Sequence, residues 1–285
     1  MLRGKMPDKI ESRLKCMFYG ESKVGKTYAA IQFPKPYVIA VEDGVKNEEY
    51  LEILKKNGGC VFQTMDFEDI IKEIETLTSI KHDYKTLVID SLSLIYSDLL
   101  DKSALKLKKI GFGQHYQDAN RQIKRLLSLL FRLDMNVIVI SHAKDVYTLS
   151  NGERVKVGSS FDCYSKLDYY FDFVFEITRH GSKRIAFVKG TRDRHKFPED
   201  SSFEFSYDAF ASRYGKSIIE KEAVPVKMIS QDQIDEFYKY FELGILTNEL
   251  EKKWLNKAGV KSLSELSDET AVRCLNYLRE KNKVN

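Results

Sequence analysis

Eight consecutive residues, Gly20-Glu21-Ser22-Lys23-Val24-Gly25-Lys26-Thr27, constrain this chain more than any other part of it. They spell G-x-x-x-x-G-K-T. The two glycines let backbone N–H groups of a turn curl round a phosphate with no side chain in the way. The helix that follows presents its positive N-terminal end to the same anion. Lys26 reaches the β- and γ-phosphates of a nucleoside triphosphate, and Thr27 offers a hydroxyl to Mg²⁺. Such a loop is entered from a buried strand and left through a helix. Leu14 to Tyr19 reads as that strand, and Thr27 to Phe33 as that helix, stopped by Pro34. The nucleotide-binding stretch therefore runs from Gly20 to Tyr28.

Further along, apolar strands end in polar residues that this chemistry can use. Leu87-Val88-Ile89 ends at Asp90, a Walker B candidate that can hold Mg²⁺ beside the loop. Capping the next helix is its plainer role. Val38 to Val41 ends at Glu42, whose carboxylate can orient and deprotonate an attacking water. Asp43 is the adjacent rival, and an acid in Glu42-Asp43-Gly44 also suits an ordinary turn. Asn136 to Ile140 ends at Ser141-His142, where an imidazole can sense the γ-phosphate; a surface or capping histidine is an equal reading. Helical spacing over Phe67 to Leu77 and Ala119 to Leu133 separates these strands. Strands that are apolar throughout, alternating with helices, predict an α/β fold with a mostly parallel central sheet buried on both faces.

Composition narrows the class. With 285 residues, 43% of them hydrophobic, the chain can bury a full core and a second small domain. Four scattered cysteines form no C-x-x-C pair and read as reduced thiols. No apolar run reaches the length of a membrane span, and the N-terminus lacks the apolar core of a signal peptide, so a cytoplasmic protein is expected. A net charge of +4 permits a nucleic-acid partner without requiring one.

In their order, Gly20 to Thr27, Val41-Glu42-Asp43-Gly44, Val88-Ile89-Asp90-Ser91 and Val139-Ile140-Ser141-His142 resemble the RecA-like ATPase core. The pattern is similar to the phage-encoded RecA-like nucleotide-binding family that includes single-strand annealing ATPases of the Sak group, over roughly residues 12 to 210. The resemblance implies a RecA-like P-loop core that binds ATP and Mg²⁺. Lys26 and Thr27 would be its phosphate and metal residues, Asp90 its Walker B acid, Glu42 its catalytic glutamate and His142 its γ-phosphate sensor. It further implies a homo-oligomer acting on single-stranded DNA in a bacterial host cell. Lys189 and Arg192 then resemble basic residues that reach a neighbour's nucleotide; a solvated basic turn is the alternative.

Two segments suit DNA on their own residues. Lys102, Lys106, Lys108 and Lys109 precede Gly111-Phe112-Gly113-Gln114-His115-Tyr116, joining phosphate neutralisation to aromatics that can stack on bases. Arg121, Lys124 and Arg125 continue as a basic face at helical spacing, which is otherwise a solvated helix face. Residues 144–166 hold Tyr147, Arg154, Lys156, Phe161 and Tyr164 around a turn at Ser150-Asn151-Gly152, and a structural hairpin is an equal reading. The core is expected to span residues 1–224 and a three-helix domain residues 225–285, opening at the capping box Ser230-Gln231-Asp232-Gln233. That domain can meet DNA, a single-strand-binding or replication protein, or another subunit, and no site is assigned to it. A nucleotide-switched loader of a replication protein is the alternative function; a small-molecule kinase lacks an acceptor site.

Overall fold

The computed structural model describes residues 13–42, 47–106, 113–150 and 153–282. Its nine-stranded sheet has the order β3-β2-β4-β5-β1-β7-β8-β9, with β6 paired to β5. These strands are β1 Lys15–Gly20, β2 Pro36–Ala40, β3 Cys60–Gln63, β4 Thr86–Asp90, β5 Asn136–Ser150, β6 Glu153–Phe161, β7 Phe173–His180, β8 Lys183–Thr191 and β9 Ser202–Glu204. Every pairing from β3 across to β7 is parallel, and β6, β8 and β9 add antiparallel partners. The expected α/β architecture, with a mostly parallel central sheet and C-terminal helices, is the one observed.

The helices are α1 Lys26–Ala30, α2 Glu48–Lys56, α3 Phe67–Ser79, α4 Leu92–Lys106, α5 Gln114–Arg132, α6 Tyr207–Tyr214, α7 Lys216–Ile219, α8 Gln231–Glu242, α9 Asn248–Ala258 and α10 Asp268–Asn282. None among the described residues is long and apolar enough to cross a membrane. Helix α1 is shorter than Thr27 to Phe33 suggested. Pro34 disfavours the helical conformation at the residue before it, so the last turn is lost. Helix α5 starts earlier than Ala119, at a left-handed Gly113, because its polar first turn gives no apolar period.

Two compact units divide the chain. One contains the described residues of Met1–Thr64, Asp83–Leu94 and Met135–Ala223; the other those of Met65–His82, Ile95–Asp134 and Val224–Asn285. The C-terminal helices therefore share a unit with α3 and α5 instead of forming one from residues 225–285 alone. They do have a core of their own around Phe237, Leu266, Leu275 and Leu278. The capping box is present, with Ser230 and Gln233 each bonding the other's backbone.

In the first unit the core packs phenylalanines edge to face under the middle strands. Phe18 meets Phe175 at 6.0 Å and Phe205 at 5.5 Å between ring centroids. Such contacts contribute about 0.5–1.5 kcal/mol each beyond area burial. They fix β1 against β7, and so fix the loop that leaves β1.

Candidate nucleotide site

Four adjacent strands deliver the site. β2, β4 and β1 end, and β5 leaves the buried sheet, side by side, with Ala40 paired to Asp90 and Gly20 to His142. Ligands of α/β sheets bind beyond these carboxyl ends. The loop Gly20 to Thr27 leaves β1 there. Lys23 has φ 64° and Gly25 φ 97°, so the chain turns through the left-handed region twice in three residues. Alternation of this kind turns successive N–H groups inward as an anion-binding concavity. A side chain at Gly25 is excluded twice over: by its φ, and because a Cβ would lie 2.2 Å from Arg184 Nε.

Within the loop Lys26 is 8% exposed and donates to the carbonyls of Gly20 at 2.9 Å and Glu21 at 2.7 Å. Burial lowers its pKa, while the charges of Asp90 and Glu42 act to raise it. Thr27 Oγ1 donates to Asp90 Oδ2 at 2.5 Å. A hydroxyl and a carboxylate meeting beside a phosphate loop are hard oxygen donors, and this set fits Mg²⁺. The Asp90–Ser91 peptide is cis.

Burial pushes the Asp90 carboxyl from its ordinary 3.8 to about 6, against the Thr27 hydrogen bond and with help from the Glu42 charge. A carboxyl whose folded pKa lies above its unfolded one weakens the fold when it ionises. The penalty is absent below pH 3.8, grows as pH rises towards about 6, and is complete above that. Asp90→Asn is thus expected to stabilise the metal-free protein at pH 7.5 by roughly 2–3 kcal/mol, at 1.36 kcal/mol per pH unit, while abolishing Mg²⁺-dependent turnover. Thermal unfolding in EDTA at pH 4.5 and 7.5 checks this, since the advantage must shrink at the lower pH.

Glu42 lies two residues beyond β2. Its Oε1 accepts from Ser91 Oγ at 2.7 Å and lies 2.8 Å from His142 Nε2. A carboxylate only accepts, so Nε2 carries the hydrogen. His142 is fixed in turn by its backbone N–H, which donates to Ser93 Oγ at 2.8 Å. The structure thus brings Lys26, Thr27, Glu42, Asp90 and His142 together. Asp43 lies outside the described residues.

One residue here was not anticipated. The Arg184 guanidinium, from β8, lies over the Tyr28 ring with Cζ 3.6 Å from its centroid. Its Nε is buried and has no hydrogen-bond partner. Arg184 lies near the start of an apolar strand, as many surface arginines do; only the β7–β8 hairpin lays it against the phosphate loop.

The remaining candidates are dispersed. Lys189 pairs with Glu176 at 3.1 Å, and Arg192 with Asp172 at 3.2 Å and the Tyr169 carbonyl at 2.6 Å. Both line a cavity of about 390 Å³ with Tyr19 and Phe161. Lys108, Lys109 and Phe112 lie outside the described residues. His115 and Tyr116 occupy the first turn of α5 with ring centroids 4.2 Å apart. Lys102 and Lys106 face Asp98 and Asp118. Arg121 pairs with Asp118, and Lys124 is exposed. Arg125 is not on a solvated face: its side chain is 13% exposed and bonds Glu68. Of residues 144–166, the first part forms a two-stranded ribbon with β6, exposed over residues 144–150 and 153–158, whereas Phe161 and Tyr164 are buried in the core and present no face to DNA. Its turn, at Asn151 and Gly152, lies outside the described residues.

A phosphate-type loop after β1, an acid at the end of β4 and a glutamate–histidine pair beside that acid are the features of a P-loop NTPase. The chain belongs to the AAA_24 family: that family's model, described as an AAA domain, matches residues 12–240. It is an ATPase domain, of a class that binds nucleotide and typically a divalent metal ion. No curated protein matches it. Two solved structures are distantly similar. The first is a prototypical ATPase from the type III secretion system of pathogenic bacteria, at 11% identity and a TM-score of 0.37 over 93% of this chain and 80% of that one. EscN, the type III secretion ATPase of enteropathogenic E. coli, is 13% identical with a TM-score of 0.40 over 93% of this chain and 66% of its own.

Proposed function

We propose that this ATPase hydrolyses ATP at the Gly20–Thr27 loop and couples the reaction to single-stranded DNA, in annealing or recombination of the kind carried out by the phage RecA-like family. Glu42 takes a proton from a water whose oxygen attacks the γ-phosphorus, as the bond to the β-phosphate oxygen breaks and ADP leaves. Lys26 meets the charge that accumulates on the phosphoryl oxygens. Thr27 and Asp90 would hold Mg²⁺, which would supply further neutralisation of the phosphate charge. Lys189 and Arg192 belong to the homo-oligomer part of this reading, each having to leave its own carboxylate to reach a neighbour.

One observation carries the coupling. His142 stands where β5 leaves the buried sheet and enters the exposed ribbon, and its carbonyl accepts from Asp162 N at 2.8 Å at the ribbon's far root. A change at the Glu42–His142 pair acts at the base of both ribbon strands. The ribbon bears Tyr147, with Arg154 5.2 Å from its ring centroid, and Lys156, a combination suited to a stacked base and its phosphate. Phosphate release measured with and without an oligothymidylate tests this. Turnover is expected to rise with DNA and to lose that response in Tyr147→Ala. Absence of both binding and stimulation at moderate salt sinks the DNA half.

Arg184 has a place in the same reading. Stacked on Tyr28 with an unpartnered Nε–H, it is a cation ready for the nucleotide beside the loop. A hydrogen bond to a charged group is worth about 1.5–3 kcal/mol, so Arg184→Ala is expected to raise the KM for ATP on the order of tenfold or more. Arg184→Lys should fail to rescue it, because an ammonium does not stack as a plane. Steady-state kinetics check this, and an unchanged KM in Arg184→Ala removes the residue from the site.

A further inference from the structure

In the second unit, α5 faces residues 252–261 across a groove of about 730 Å³. The two walls are locked where α9 ends. Gly259 has φ 69°, and a Cβ on it would lie 2.2 Å from Ser128 Oγ. Ser128 Oγ donates to the Ala258 carbonyl at 3.1 Å. Only glycine permits so close an approach in that conformation.

Six cations line the groove: Arg121, Lys124 and Arg125 on one wall, Lys252, Lys257 and Lys261 on the other. Three carboxylates answer some of them. Glu68 bonds Arg125 and Lys261, Glu75 lies 4.0 Å from Arg125, and Asp118 bonds Arg121. Lys252 and Lys257 pair with no described residue. Like charges gathered on both sides of one groove repel unless an anion lies between them.

We propose that this groove binds the phosphodiester backbone of a nucleic-acid strand. At a helical rise of 1.5 Å per residue, Arg121 to Arg125 and Lys252 to Lys257 span about 6 and 8 Å. At about 3.4 Å per nucleotide along a strand of B-form DNA, each wall serves two or three successive phosphates. No aromatic side chain is among the described lining residues, so the groove holds the backbone without stacking on bases, unlike the ribbon. An acidic peptide fits less well. Peptide recognition draws on apolar anchors set in pockets, and the apolar lining residues Leu255 and Val260 are themselves buried at 8% and 7% exposure. The α5 half of this surface is legible as a basic helical face; the C-terminal half is brought to it by the fold. The proposal deepens the DNA-binding half of the proposed function and rests on it.

The test is fluorescence anisotropy of a labelled oligothymidylate on the full chain, from about 50 to 200 mM salt. Lys252→Glu/Lys257→Glu is expected to bind on the order of tenfold more weakly at the low-salt end. Its plot of log affinity against log salt should be shallower by about 1.4, at roughly 0.7 for each single-strand phosphate that the variant no longer neutralises. Lys252→Arg/Lys257→Arg should keep the wild-type affinity and slope, and thermal unfolding should match wild type in both. A Glu variant with undiminished affinity and slope overturns the groove alone. Loss of labelled polyglutamate binding in that variant, with oligothymidylate binding intact, overturns it in favour of an acidic peptide. A wild-type protein that binds no oligothymidylate overturns the groove and the DNA-binding reading together.

Discussion

Glu42→Gln is expected to bind ATP about as well as the wild type and to turn it over roughly 10²–10⁴-fold more slowly, the range that a positioned general base contributes. Glutamine keeps the size of the side chain and an Oε1 that still accepts from Ser91 Oγ and His142 Nε2, the two donors at 2.7 and 2.8 Å. What it loses is basicity. Because the ground-state hydrogen bonds survive, the loss falls on kcat and leaves KM nearly in place. Phosphate release together with equilibrium binding of labelled ATP separates the two quantities. A variant with undiminished kcat would move the base elsewhere, and Asp43, one residue along, is the first alternative.

Lys26→Ala is expected to lose both binding and turnover, with kcat/KM down by 10³ or more. Each hydrogen bond to a charged group is worth about 1.5–3 kcal/mol, and a cation aimed at developing phosphoryl charge adds more in the transition state. The Lys26 ammonium is buried and already aimed across the loop by the Gly20 and Glu21 carbonyls at 2.9 and 2.7 Å. Little side-chain order therefore has to be acquired when nucleotide arrives. Removing the ammonium also deprives those two carbonyls of a donor, so thermal unfolding of the variant is needed beside the kinetics. A folded Lys26→Ala protein with wild-type turnover would separate this loop from the chemistry altogether.

The parts of the site that sequence reveals are those set by strand ends. Glu42, Asp90 and His142 each terminate an apolar run, and parallel strands of one sheet bring such ends to a common edge. What stays hidden depends on long-range packing. Arg184 meets Tyr28 across more than half the chain, through a hairpin whose apolar pattern says nothing about where its second strand's arginine goes. The length of β5 is invisible because its last nine residues, 142–150, leave the core and lose the signal of burial. Arg125 reads as a solvated cation until Glu68, 57 positions upstream, is folded against it. The second unit is hidden for the same reason: it gathers α3, α5 and the C-terminal helices from three separate stretches.

The central claim is that Glu42, His142, Asp90 and the Gly20–Thr27 loop form one hydrolytic site. A crystal structure with ADP, Mg²⁺ and aluminium fluoride tests it most directly. A water in line with the aluminium and about 2.6–3.2 Å from the Glu42 carboxylate is expected, with Lys26 on the fluorides and Thr27 and Asp90 at the metal. A complex in which Glu42 turns away and another group holds that water would contradict it.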